Sequence, residues 1–212
     1  MSSSLVWLFY QDHKEVRYSQ CQFDHTLFVH IVGRRTIIIN VYVDDIILTR
    51  DHEEEIGKLK SFVAHEFEIK DLGNLKYFLR MEIVRSKMGI AIFQRKYVLD
   101  LLKKTRMFGC KPADTPMDYS TKLEIVEGSA LVYKRRYQRL VGKLIYLFHI
   151  RLDIAFSINM VSQFMNNPIE EHMKVVYRIL RYLKMTPGRH SISKERRRET
   201  LKFFQLQIRL AP

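Results

Sequence analysis

Apolar residues along this chain follow two periods, and the change between them divides the sequence. Residues 26–32 (TLFVHIV) and 36–43 (TIIINVYV) are rich in β-branched and aromatic side chains. Gly33-Arg34-Arg35 separates them, which predicts a hairpin. Residues 46–49 (IILT) predict another strand, buried on at least one face, reached through Asp44-Asp45. Over 52–66 the period lengthens. Ile56, Leu59, Phe62 and Val63 recur at helical spacing, behind Glu53, Glu54 and Glu55, acids that a helix N-terminus favours. Residues 75–84 (LKYFLRMEIV) and 90–94 (IAIFQ) predict a second hairpin turning at Lys87-Met88-Gly89. Residues 96–107 predict an amphipathic helix with Val98, Leu101 and Leu102 inward, while residues 5–18 carry at most a weak helical pattern.

Gly109, Pro112, Pro116 and Gly128 break regular structure over 108–130, which reads as a linker. Three helices follow at 132–149, 153–166 and 170–184, with Asp153 opening the second and Pro168 closing it. The fold class is α+β: an antiparallel sheet with helices, then an all-helical segment. The boundaries are 1–107 for the first part, 108–130 for the linker, 131–188 for the helical part and 189–212 for a divergent basic tail.

Of 212 residues, 47% are hydrophobic, yet no apolar run is long enough to span a bilayer. Ser2-Ser3-Ser4 and the short patch from Leu5 to Phe9 lack the basic region and cleavage site of a secretory signal. Cys21 and Cys110 offer neither a disulfide framework nor zinc spacing. Both fit reduced thiols of an intracellular protein, cytoplasmic or nuclear. His25, His30, His65 and His149 read as ordinary core or surface residues. The net charge is +13, and from Lys174 onward eleven lysines and arginines face only Glu195 and Glu199. Such a chain attracts polyanions, nucleic acid foremost, and basic residues beside aromatic ones at Arg178, Arg181, Tyr182 and Lys184 favour phosphate contact.

The candidate chemistry sits at Asp44-Asp45. Two adjacent carboxylates between buried strands repel each other and resist burial, and a divalent cation with oxygen ligands reverses that balance. Carboxylates on a rigid sheet are also what phosphoryl transfer needs to hold Mg²⁺. An Asp-Asp pair is equally an ordinary polar turn, so the residues alone leave both readings open.

Ordered blocks surround that pair. Asp24-His25-Thr26-Leu27-Phe28 precedes Tyr42-Val43-Asp44-Asp45, and Lys70-Asp71-Leu72-Gly73-Asn74-Leu75-Lys76-Tyr77-Phe78-Leu79 follows it. Then come Gln94-Arg95-Lys96-Tyr97-Val98-Leu99-Asp100, Cys110-Lys111-Pro112-Ala113-Asp114-Thr115-Pro116 and Arg139-Leu140-Val141-Gly142-Lys143-Leu144-Ile145-Tyr146-Leu147. Val161-Ser162-Gln163-Phe164-Met165 and Arg178-Ile179-Leu180-Arg181-Tyr182-Leu183-Lys184 close the series. In this order the chain resembles the reverse transcriptase of copia-type LTR retrotransposons over residues 18–188.

The resemblance implies a partial polymerase palm up to residue 107 and a helical thumb or connection after the linker. It implies RNA-directed DNA synthesis, with Asp44 and Asp45 as catalytic metal ligands for Mg²⁺ or Mn²⁺. The implied partners are an RNA template, a DNA primer, their hybrid and deoxynucleotide triphosphates, but no membrane. Tyr42, Lys76, Lys143, Arg178, Arg181 and Lys184 are the implied nucleic-acid contacts, and the 75–94 hairpin looks like a primer grip. The family uses a third aspartate on an earlier palm strand, and fingers that close on the nucleotide. Both would lie N-terminal to this chain, which is therefore expected to be inactive alone. The alternatives are a nucleic-acid-binding remnant without chemistry, or a non-functional product whose sheet, lacking a central strand, exposes an unpaired edge. The family usually has Gly where Arg80 stands, and the tail from Arg189 has no family counterpart.

Overall fold

A computed structural model describes residues 18–32, 35–43, 45–50, 53–86, 89–118, 121, 123–124, 128–193 and 202–209. The weak pattern at 5–18 and the turn residues Asp44, Lys87 and Met88 fall largely or wholly outside them. The chain divides into two compact units, Met1–Lys76 with Glu195–Pro212, and Tyr77–Lys194. Antiparallel sheets and helices make it α+β. No helix among the described residues is long and apolar enough to cross a membrane.

The first unit is built on alternation. Its strands are β1 (Ser19–Gln20), β2 (Leu27–Val32), β3 (Arg35–Tyr42), β4 (Asp45–Arg50) and β5 (Glu68–Asn74), with helix α1 (Glu53–Glu66) between the last two. In β3, Ile37, Ile39 and Val41 point to one face; Phe28 of β2 and Ile46 and Leu48 of β4 join them, and all six are buried. Leu59 and Val63 of α1 cover that face. Lys60 on the same helix reaches the Asp71 carboxylate on β5 at 2.5 Å.

The tail supplies the unexpected strand of this sheet. Residues Lys202–Arg209, numbered β10 in chain order, lie antiparallel between β4 and β5, giving the order β1-β2-β3-β4-β10-β5. Phe203 pairs with Thr49, Gln205 with Ile47 and Gln207 with Asp45. The expected unpaired edge is therefore not found at β4, which has β3 on one side and β10 on the other. On the β5 side the register shifts between Gln205 and Leu206, skipping Leu72, and Gly73 takes the φ of 71° that this bulge requires.

The second unit opens with β6 (Tyr77–Phe78), β7 (Met81–Ser86) and β8 (Gly89–Phe93), to which β9 (His190–Ser193) adds, in the order β6-β7-β8-β9. The single strand expected over 75–84 is instead a tight hairpin. Leu79 and Arg80 both take positive φ, 46° and 60°, as a two-residue hairpin turn demands. Neither is Gly or Asn, so turn propensity alone does not announce the turn. Helices α2 (Arg95–Lys104), α3 (Lys134–Phe148), α4 (Ala155–Ser162) and α5 (Glu170–Met185) follow, with a 3-10 turn at Leu152–Ile154 leading into α4. Their apolar stripes meet in one core that includes Val98, Leu102, Tyr137, Leu144, Ile154, Val161, Val176 and Leu183. Helix α4 ends at Ser162, short of the expected 166.

Arg151 lies among these helices and is 2% exposed. Its guanidinium grips Asp153 through two hydrogen bonds of 2.9 Å, and donates to the Thr186 carbonyl and hydroxyl at 2.8 and 2.7 Å. The Tyr182 hydroxyl and the Arg189 guanidinium complete the shell of Asp153 at 2.8 and 3.1 Å. The network ties the start of α4 to the end of α5, and it leaves the buried charge paired on every side that it presents to Asp153.

Candidate functional site

The Asp44-Asp45 turn joins β3 to β4. Tyr42 and Asp45 are register partners at the end of the β3–β4 ladder. Val43 has φ 53°, a left-handed conformation that a β-branched residue adopts only under strain. Such strain persists where the surroundings over-determine it, and it gathers at functional sites. Asp45 and Tyr42 share the sheet face opposite the one that Leu59 and Val63 cover, because directly paired residues of antiparallel strands point the same way. Tyr42 is 45% exposed and Asp45 half-buried. The strand ladder thus fixes the Asp45 backbone at the rim of the sheet, with Gln207 of β10 as its register partner on the other side.

The donor chemistry suits a hard divalent cation, since both side chains of the pair offer only carboxylate oxygens. Asp44 lies outside the described residues. Among the described residues no three His, Cys, Asp or Glu side chains gather as a metal group.

The other sequence-nominated residues scatter. Lys76 is exposed on the segment between β5 and β6. Arg178, Arg181 and Lys184 fall on one side of α5, where the 110–118 segment packs. Arg178 donates to the Thr115 hydroxyl at 3.0 Å and to the Asp118 carboxylate at 2.7 Å. Lys184 donates to the Cys110 carbonyl at 2.7 Å, and the Arg181 carbonyl accepts from the Ala113 N–H at 3.4 Å. The same segment buries Ala113 and Met117. These three basic residues thus hold the linker against α5.

Lys143 stands apart from them, on α3, at a cleft with Lys104, Arg106, Arg136, Arg139 and Tyr177. Partial burial lowers the pKa of its ammonium, and the neighbouring charges of Arg139, Lys104 and Arg80 lower it further. Sequence reasoning found Lys143 but missed its companions. Arg136, Arg139 and Lys143 recur at i, i+3 and i+7, a readable signal, whereas Lys104 and Arg106 join them only through packing.

Residues 6–119 match a family model described as reverse transcriptase (RNA-dependent DNA polymerase). The chain is 41% identical over 165 residues to the retrovirus-related Pol polyprotein from transposon RE1 of Arabidopsis thaliana, covering 78% of this chain and 11% of that relative. Identity to the corresponding polyprotein from transposon RE2 of the same plant is 38% over 164 residues, 77% of this chain and 11% of the relative. For the polyprotein from transposon TNT 1-94 of Nicotiana tabacum it is 36% over 161 residues, 72% and 12%. The chain thus spans little more than a tenth of the length of these relatives. No solved structure matches it significantly.

Proposed function

Because this chain belongs to the reverse transcriptase (RNA-dependent DNA polymerase) family, we propose that its β3–β4 turn is the metal-holding edge of a polymerase palm. Asp44 and Asp45 hold Mg²⁺ or Mn²⁺ there, and the helices that follow the 108–130 linker act as thumb and connection. The observation that carries this reading is the hairpin itself: the Tyr42–Asp45 pair, next to Val43 at φ 53°, holds Asp45 at the rim of a rigid sheet. When bound, the cation supplies Lewis-acid stabilisation of the oxygens in an in-line phosphoryl transfer to a primer hydroxyl. The protein's part is positional. The β3–β4 ladder fixes the Asp45 backbone, and Tyr42 lies beside Asp45 on the same face, where a primer end or an incoming deoxynucleotide triphosphate would pass.

The partners are an RNA template, a DNA primer and the hybrid they form, which places the work inside the cell. Lys76 and Lys143 are the exposed and half-buried cations that serve phosphates. Arg178 and Lys184 reach phosphate only by releasing the 110–118 segment, so Lys143 carries more of the proposal. Two adjacent carboxylates do not bridge two ions in the geometry of transfer, so the chain alone is expected to bind primer–template without sustained synthesis.

Primer extension on an RNA template, with Mg²⁺ or Mn²⁺, tests this directly. The expected result is stable binding of the primer–template with no extension above that of an Asp45→Asn variant. Extension that depends on Asp44 and Asp45 would overturn the inactivity. Failure to bind any primer–template would overturn the nucleic-acid reading itself.

A further inference from the structure

The sheet of the first unit has a gap that the tail fills. Strands β4 and β5 follow each other through α1, and β10 runs antiparallel to both, so they are parallel to one another. Consecutive strands of a sheet often pair directly. Here they stand one strand apart, about 10 Å at the usual strand spacing. β10 takes the place between them and pairs with six residues of each.

The gap demands an occupant. Ile46, Ile47, Leu48 and Thr49 are all buried, so β4 is covered on both faces. Its peptide groups on the β10 side need partners, because an unpaired buried N–H or C=O costs free energy. Without β10 the gap is a pair of facing strand edges, and such edges are templates for another strand.

Three features direct the β10 of a second copy into it. First, among the described residues 202–209 are the segment that fits both sides of the gap, and the bulge opposite Gly73 sets their register against β5. Every copy carries both the gap and the strand, so exchange replaces each pair by an identical one. Second, residues 194–201 lead from β9, in the second unit, to β10, in the first. They hold no Gly, Pro, Asn or Asp, so no turn chemistry commits the strand to its own sheet. Third, eight residues reach about 27 Å when extended. That exceeds the width of a six-stranded sheet, about 24 Å.

We infer that the gap between β4 and β5 is a strand-exchange interface, at which β10 of a second copy of this chain replaces the chain's own and two copies form a reciprocal dimer. Gln207 of the second copy then becomes the register partner of Asp45. The strand that carries the Asp44-Asp45 turn is thus completed by another molecule. Both forms contain the same strand pairs, so concentration sets the balance: dilution favours the closed monomer and high concentration the exchanged dimer. The inference goes beyond the metal and nucleic-acid readings and depends on neither.

The test is a cross-link that exchange alone permits. Two versions of the full chain, each with Cys21→Ser and Cys110→Ser, carry one new thiol apiece. One has Thr49→Cys and the other Phe203→Cys, at register partners of β4 and β10. Directly paired residues of antiparallel strands lie about 5 Å apart at Cα, within disulfide reach. The two are unfolded together, refolded at a series of concentrations, oxidised, and run on a non-reducing gel. The expected result is a covalent heterodimer after refolding at high concentration, lost when the mixture is diluted before refolding. Either chain refolded by itself, and Thr49→Cys mixed with Gln207→Cys, which is out of register, should give no cross-link. A third version with Thr49→Cys and Phe203→Cys in one chain checks folding, and should close an internal disulfide at low concentration. That internal bond without a heterodimer at any concentration would overturn the exchange and leave β10 in its own sheet. Failure of the internal bond would remove β10 from the gap, and the inference with it. Equal cross-linking of the out-of-register pair would mean unspecific thiol contact and would also overturn it. A dimer seen by light scattering without the 49–203 cross-link would assign association to another surface, against the inference.

Discussion

Asp153 shows how one side chain sets the stability of the helical unit. Burial pushes its pKa up, but hydrogen bonds from Arg151 and Tyr182, the Arg151 charge and the Arg189 guanidinium together hold it down at about 2. A carboxylate whose pKa is lower folded than unfolded binds fewer protons in the native state, so stability rises with pH. The contribution is complete above the ordinary carboxylate pKa of 3.8 and is lost as pH falls through it toward 2. Asp153→Asn leaves Arg151 buried without its charge partner, and should cost ~3 kcal/mol at neutral pH. It should also flatten the fall in melting temperature between pH 5 and pH 2, which thermal denaturation followed by circular dichroism will measure. An unaltered acid transition in the variant would assign that transition to other carboxylates. The sequence marked Asp153 as a helix start but hid this role, because the partners at Tyr182 and Arg189 lie about thirty residues away and meet it only through packing. Arg80 was more legible. A departure from the family's usual Gly points to a backbone that favours Gly, and the φ of 60° supplies the reason.

At the level of elements, period and residue type carried the strands around the Asp pair and every long helix. Ile37, Ile39 and Val41 alternate, and Leu59 and Val63 recur at helical spacing, because a single buried face dictates both patterns. Four strands escaped, the two-residue β1 among them. β5 contains Lys70, Asp71, Gly73 and Asn74, a polar run with no alternation, and it is mostly exposed. β9 and β10 pair with distant strands, so their strand character depends on long-range register that no local window contains. The tail was read as a basic appendage, yet β10 pairs with β4 over six residues and with β5 over six. Leu206→Pro removes a backbone donor from the middle of that strand, where a proline is not accommodated. The amides of β4 should then exchange with deuterium far faster than in the native chain, and apolar-dye binding should rise. Unchanged protection over Asp45–Arg50 would show that the first unit does not depend on β10.

On the scale of the whole molecule, charge and chemistry are distributed unequally between the two units. The first carries the Asp44-Asp45 turn on a sheet rim, and the second carries the five-cation cleft at the end of α2. The net charge of +13 signalled a polyanionic partner, but the total does not say where the anion sits. Many of the cations are engaged within the protein, as Arg151, Arg178 and Lys184 are. Folding therefore decides which cations still face a ligand, and composition alone cannot. The Asp pair was legible as candidate chemistry because adjacent carboxylates between buried strands are electrostatically costly in any fold that lacks a cation for them.

The most direct measurement is Mn²⁺ titration of the full chain followed by electron paramagnetic resonance, with the Asp44→Asn, Asp45→Asn double variant alongside. The account predicts that the native chain depletes the free-ion signal and that the variant, folded by circular dichroism, does not. An identical titration for both would mean that the turn is an ordinary polar hairpin and that the metal-holding role is wrong.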